Sequence, residues 1–499
     1  MRPYIAVYRS GKEAYSGGFE QLLRQEKTLH AVSAEKTDAP VTCFENVFPD
    51  WAYDYVKEGG IAMVSGAGRH TFRFDAGFLC KAAVEWIDLS FCNMGKARIC
   101  SSVSVFAGEG TGELTLHEFR NIKNGRRPGF YPVFLQKDYG RGQIIYTGVP
   151  LAELLTYEGS TLRKTCELLD FDERISSVDK QKAAAALRCL LRKAMNRAGF
   201  PYLSLWYFPD KAKSVFAYSI DGDGLLKEGI DDLIEVSRQI DTKFLFYINK
   251  QLCEGDPDLK EKLKRIAETN LIASHGALHN AHDSYEDNIR DIEEHESWMK
   301  SLDIPFEKSF ASPRGMYCAN LGRALKDKGF RHSRDFGYYI DDYPCFPMIE
   351  GQQAAPLQIP TDGFNVCRWM LKNEEEGLPM PSWEEIFASY KTIIDLKISR
   401  NQPLLFFCHP QYFGLYAKQL YPKLVDYARS KGAAISDYLA YGDFWIARDE
   451  CTYDADYADG KLKLCFTRKA DGVNLCVDGK IIDEDEFEMD WHITVINKR

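Results

Sequence analysis

The sequence has no run of about twenty uninterrupted apolar residues, the length a membrane-spanning helix needs, so no segment reads as a transmembrane span. It has no cluster of Lys and Arg either. With 63 basic residues against 73 acidic ones the formal net charge is −10. That balance argues against a nucleic-acid or anionic-membrane partner, both of which depend on clustered positive charge. The opening residues Met1-Arg2-Pro3-Tyr4 are not followed by an apolar core and small residues, the pattern of a secretory signal. The fourteen cysteines include no C-x-x-C pair and no regular spacing. In a chain without a signal they are expected to be reduced thiols rather than a disulfide frame, and a cytoplasmic location is expected. Internal repeats and low-complexity tracts are missing too.

What is present is an ordinary globular composition, 45% hydrophobic and 27% charged, spread over 499 residues. A chain of that length exceeds one hydrophobic core, and about three domains is the natural prior. Residues 1–150 read as a Rossmann-like α/β unit, with apolar, β-branched runs at Tyr4–Tyr8, Val41–Phe44, Gly60–Val64, Trp86–Leu89, Ile99–Phe106 and Ile144–Tyr146. Residues 151–213 read as a helical linker, dominated by the strong helix former Lys180–Arg197. From 214 to 449 short apolar runs alternate with amphipathic stretches, the signature of a distorted (β/α) barrel or a doubly wound sheet. The tail 450–499 alternates Leu462, Leu464 and Phe466 and has turns at Asp471-Gly472 and Asp478-Gly479, which predicts a small all-β appendage.

Chemistry concentrates where the apolar runs of the middle unit end, the place where α/β folds hold their ligands. Val215–Ile220 runs into Asp221-Gly222-Asp223-Gly224. Two carboxylates around a glycine can face one cavity, one binding a cation while the other stays free as a base. Taken alone the motif reads equally as an acidic surface turn. Leu271–Ala273 runs into Ser274-His275-Gly276-Ala277-Leu278-His279, two histidines at i and i+4 that would share one face of a helix. Imidazole suits Zn²⁺ and neighbouring divalent metals. Only ten histidines occur in the chain, yet three fall within 275–282, so His282 stands as an alternative ligand. Leu404–Cys408 ends in His409, which is either a satisfied core residue or the group that protonates a leaving atom.

These three spots, in this order and rough spacing, resemble the polysaccharide deacetylases, the NodB-homology carbohydrate esterases, over about Ser214 to Asp449. The resemblance implies a distorted β/α barrel that hydrolyses N- or O-acetyl groups on glycans with a divalent metal, often zinc. By it, Asp221 matches the catalytic base, Asp223 with His275 and His279 the metal ligands, and His409 the acid. Gly276 replaces the usual Ser or Thr. In Phe310-Ala311-Ser312-Pro313-Arg314-Gly315 the family's arginine position holds Ala311 and its tyrosine position holds Arg314, leaving Arg314 or Tyr317 as candidates to face substrate. Asp335, in Ser333-Arg334-Asp335, matches the acidic residue that orients the catalytic groups.

The expected activity is therefore a metal-dependent hydrolase acting on an acetylated sugar or sugar conjugate, with Zn²⁺ as cofactor. The altered Ala311/Arg314 motif keeps open a weakened, glycan-binding module. The lack of a signal keeps open a metal-dependent amidohydrolase on a non-glycan small molecule. The first unit looks faintly like the class I glutamine amidotransferase fold, through Gly142–Pro150. Cys43 lacks the glycines of a nucleophile turn, so a structural or homo-oligomer-forming role is expected there.

Overall fold

In a computed structural model of the chain, the described residues are 2–9, 16–45, 47–66, 78–106, 114–115, 132–156, 178–225, 227–335, 342–349, 352–362, 366–482 and 488–490. The first unit is built on a six-stranded sheet in the order His30–Ser33, Ile5–Tyr8, Val41–Glu45, Ile61–Ser65, Gly142–Thr147, Phe134–Tyr139. Its first five strands run parallel and the last is antiparallel, a Rossmann-like arrangement. Parallel strands buried on both faces account for the near-continuous apolar runs. The runs ending at Leu89 and Phe106 behave differently. They belong to an antiparallel hairpin, Phe78–Asp88 with Lys96–Phe106, in a separate small sheet. Cys43 is fully buried in the middle of Val41–Glu45, and burial pushes its thiol pKa well up, which is the opposite of an activated nucleophile.

Helix Lys180–Arg197 starts where the Asp179 carboxylate accepts the Lys182 backbone N–H at 3.3 Å, an N-cap. Its apolar stripe of Ala183, Leu187, Leu190 and Leu191 packs into the core shared with Ile5, Val41 and Met63. The segment expected to link two units thus supplies a layer of the first. Residues 157–177 of that segment lie outside the described ones.

The middle unit is a parallel sheet in the order Leu357–Pro360, His332–Asp335, Glu307–Ala311, Leu271–Ser274, Leu245–Ile248, Ser214–Gly222, Leu404–Cys408, with Ala433–Ile435 also pairing Ser214–Gly222. Between its two end strands, Asp362 N–H donates to Leu405 O at 2.7 Å and the Thr361 hydroxyl reaches the same carbonyl at 3.2 Å. The sheet curls into an incomplete, distorted (β/α) barrel.

Strand side chains alternate between two faces. Phe216, Tyr218, Ile220, Phe246, Ile272 and Phe406 pack outward with the helices. Val215, Ala217, Tyr247, Ala273, Ala311, Ile359 and Leu405 form a separate interior cluster. Continuing the interior parity past the last apolar residues leads to Asp221, His275, Thr361 and His409. A two-residue period therefore aims four polar side chains at one end of the barrel.

The tail forms an antiparallel sheet of Thr452–Ala458, Lys461–Arg468 and Glu488–Asp490. Strand Leu475–Val477 pairs back onto Leu203–Leu205, so the appendage is completed by a strand from before the barrel. No described helix is long and apolar enough to cross a membrane.

Candidate metal centre

Strand Ser214–Gly222 is buried along its whole length and delivers Asp221 and Asp223 to the mouth of the barrel. Around the Asp223 carboxylate stand three imidazoles: His275 Nε2 at 3.4 Å from Oδ1, and His279 Nε2 and His409 Nε2 at 3.3 Å and 3.2 Å from Oδ2. One ligand atom from each of Asp223, His275 and His279 lies within 4.8 Å of the others. Ligands about 2.0–2.2 Å from a tetrahedral ion are roughly 3.3–3.6 Å apart, so these spacings suit a single cation.

Hydrogen placement makes the same point. His275 is fully buried, and its Nδ1 lies 2.7 Å from the Ala311 carbonyl. Only a protonated Nδ1 can donate there, which leaves Nε2 as a bare lone pair. Burial lowers the His275 pKa, more than Asp223 raises it, and keeps the ring neutral. That lone pair faces Asp223 Oδ1, a buried acceptor with no hydrogen-bond partner. Two acceptors pointed at each other in a buried place are satisfied by a cation between them. The residues present thus fit a divalent metal.

The two histidines are not on a helix, contrary to the i, i+4 helical face read from the sequence. Residues 275–280 form a loop after strand Leu271–Ser274. The Asp291 carboxylate folds that loop by accepting the backbone N–H groups of Ala277 at 3.1 Å and Leu278 at 2.7 Å. Asn249, fully buried, donates from Nδ2 to the carbonyls of His275 and Gly276 at 2.9 Å and 3.0 Å. His282 Nε2 lies 3.8 Å from Asp291 Oδ1 and outside the three-residue cluster. Gly276 has φ +80°, and a Cβ there would sit 2.7 Å from Asp291 Oδ2. A left-handed non-glycine costs roughly 1–2 kcal/mol. Gly276→Ser should therefore lower the unfolding free energy by at least that much and weaken metal binding, as read by denaturant titration and calorimetric metal titration. An unchanged variant would mean that the loop does not depend on this backbone conformation.

Asp221 is held from below. Arg334, 4% exposed, donates from one terminal nitrogen to Asp221 Oδ1 and from the other to Ser219 Oγ at 3.0 Å. Its guanidinium lies 4.8 Å from the Tyr247 ring centre and 4.9 Å from that of Phe407. Burial alone would lower the Arg334 pKa, but Asp221 keeps the group firmly charged. Sequence reading singled out Asp335 on this strand and passed over Arg334. The available signal was an arginine in a short buried run on the strand following the altered Ala311 motif.

His409 stands on the other side of the Asp223 carboxylate. Burial works against its charge, yet Asp223 and Asp221 raise its pKa to about 9. Its Nδ1 meets Cys367 Sγ at 3.1 Å, a neighbour that no sequence motif indicated. Asp335, expected as the orienting acid, lines the cavity of the site and accepts from Gln358 Nε2 at 3.1 Å. Burial pushes the Asp335 pKa from 3.8 to about 7. Such a raised carboxyl contributes stability that is complete below pH 3.8 and lost as pH rises through about 7. Asp335→Asn should thus gain stability relative to the native chain between pH 5 and pH 8, measured by urea midpoints. A pH-independent difference would remove Asp335 as the titrating group.

A cavity of 160 Å³ is lined by these groups together with Arg314, Gly315, Thr361 and Phe407. Arg314 takes a left-handed φ of 58° at the cavity edge, a conformation that concentrates at functional sites. Tyr317 is not among the lining residues. It packs against the cores of the first unit and of helix Ala319–Asp327.

The class defined by fold and site is a parallel, incomplete β/α barrel with an Asp–His–His group that could hold a cation and a separate arginine-held carboxylate. Among solved structures, the chain is similar to the chitin deacetylase from the fungal pathogen Colletotrichum lindemuthianum, at 18% identity and a TM-score of 0.32, over 47% of this chain and 88% of that one. It is similar to the carbohydrate deacetylase Agd3 at 10% identity and a TM-score of 0.39, over 93% of this chain and 91% of that one. A third is a CE4-family pseudoenzyme from Bacillus anthracis, at 11% identity and a TM-score of 0.32, over 47% and 66% of the two chains. No protein-family model and no curated protein matches the chain.

Proposed function

We propose that the chain is a metal-dependent hydrolase that removes acetyl groups, N- or O-linked, from a carbohydrate or sugar conjugate. The observation that carries this reading is the neutral His275 Nε2 facing the unpartnered Asp223 Oδ1 at 3.4 Å, with His279 completing the donor set. Two nitrogens and a carboxylate oxygen suit Zn²⁺ best among common divalent ions. Such an ion supplies Lewis acidity toward a carbonyl and acidifies water. Asp221, fixed by Arg334, accepts the proton of the attacking water. His409, whose charged form the neighbouring carboxylates favour, delivers a proton to the departing nitrogen or oxygen. The cavity of 160 Å³ is smaller than the roughly 300–1,000 Å³ of whole-ligand pockets. It holds an acetyl-sized end while the sugar stays outside.

Arg334 speaks against the weakened binding module, because it holds the base carboxylate from the strand after the one where the family's arginine is missing. The small cavity keeps a second reading: an acyl amide on a non-glycan carrier would enter equally well.

The test is acetate release from N-acetylated amino-sugar oligomers and from O-acetylated sugars. Activity should fall at least a hundredfold after chelation and return with Zn²⁺. Full activity in a verified metal-free sample overturns the proposal.

A further inference from the structure

His409 follows the buried strand Leu404–Cys408, and its ring lines the cavity with Nε2 3.2 Å from Asp223 Oδ2. Its backbone carbonyl accepts the N–H groups of Tyr412 and Phe413 at 3.2 Å and 3.0 Å, which anchors the main chain. The two remaining polar atoms of the residue meet a single sulfur. The His409 backbone N–H donates to Cys367 Sγ at 3.2 Å, and Nδ1 lies 3.1 Å from the same atom. Cys367, 1% exposed, is the second residue of helix Val366–Glu375. It packs in the outer core together with Cys408 and does not line the cavity. The strand period turns Cys408 outward and His409 inward, so a helix of the outer layer reaches Nδ1 while Nε2 faces Asp223.

The hydrogens can be placed. An imidazole carrying two protons donates from both nitrogens, and in that form Nδ1–H donates to Sγ, a weak acceptor. The thiol's own hydrogen is then directed to Cys408 Sγ, which is fully buried and 2.7 Å away. Release of the Nε2 proton leaves a neutral ring with Nδ1–H still on the sulfur, and no group has to turn. Nδ1 opens onto buried sulfur and Nε2 onto the cavity, so the proton that leaves is the one on Nε2.

We infer that Cys367 is a positioning residue for His409: its sulfur holds the ring as the Nδ1–H tautomer and thereby commits Nε2 to proton delivery. This rests on the hydrolase reading, in which His409 is the acid. The orienting part that the family resemblance gives to Asp335 falls, for this ring, to a thiol from a different helix.

The native chain, Cys367→Ala and Cys367→Ser, each loaded with Zn²⁺, are assayed on two kinds of acetyl substrate. One is 4-nitrophenyl acetate, whose phenolate departs without a proton. The other is an N-acetylglucosamine oligomer or an O-acetylated sugar, whose amine or alkoxide needs one. Cys367→Ala should lose about tenfold in kcat on the sugar substrate, with KM unchanged, and stay within twofold on the aryl ester. Cys367→Ser, whose hydroxyl can accept both N–H groups, should stay within about threefold on both. A merely structural role would lower both substrates together. A second readout does not depend on turnover. With ¹⁵N-labelled histidine, the His409 Nδ1–H, assigned by its absence in His409→Gln, should give a slowly exchanging NMR signal in the native and serine chains. Cys367→Ala should lose that signal, and Cys367→Val replaces it if the alanine chain fails to fold. Equal losses on the two substrates, undiminished turnover of the sugar, or an Nδ1–H signal that survives Cys367→Ala overturns the inference. A native chain that shows the signal but releases no acetate fails the hydrolase reading alone.

Discussion

Asp221→Asn should reduce kcat by about 10²–10⁴-fold while metal content stays at the native level. The amide preserves the size of the carboxylate and can still accept from Arg334, but it cannot take a proton from water. The variant carries a structural complication that can itself be measured. Arg334 is 4% exposed and loses its counter-charge, and an uncompensated buried charge costs about 3–5 kcal/mol. Asp221→Asn should therefore be less stable as well as inactive. Adding Arg334→Met removes the stranded charge and should return much of the stability without any activity. Kinetics together with urea unfolding on the single and double variants separate the two roles. Substantial turnover by Asp221→Asn would eliminate Asp221 as the base.

His275→Ala addresses the metal. Structural zinc sites bind with roughly 10–16 kcal/mol, so one of three protein ligands is worth about 3–5 kcal/mol, or on the order of 10²–10⁴-fold in affinity. Elemental analysis after dialysis should find near-stoichiometric metal in the native chain and little in the variant. His282→Ala should retain metal, because His282 stands beside Asp291 rather than Asp223. Equal metal in the native and His275→Ala chains would mean that the cation, if bound, lies elsewhere, and the hydrolase reading would lose its basis.

The departures from the family pattern have local physical reasons. Gly276, in place of Ser or Thr, occupies a left-handed position packed against Asp291. Ala311 lacks a guanidinium, yet its carbonyl fixes the His275 tautomer, and the missing charge arrives from Arg334 on the adjacent strand. A motif scan sees neither, since both depend on which strands are neighbours. Tyr317 illustrates the reverse. It is near Arg314 in sequence, but the left-handed turn at Arg314 and the packing of the following helix take it into other cores.

The sequence alone determined the α/β alternation, the run of strands each ending in a polar residue, and the choice of Asp221, Asp223, His275, His279 and His409 as candidates. Those features rest on hydrophobic period and residue chemistry, which are local. The tertiary structure decided that His275 and His279 reach one point from a loop and not from a helix, that Arg334 holds Asp221, and that His409 leans on Cys367 and Asp223. It also decided that helix Lys180–Arg197 belongs to the first core and that Leu203–Leu205 completes the tail. Each of these is a pairing between residues far apart in the chain, set by strand order and by what a buried charge or lone pair requires beside it.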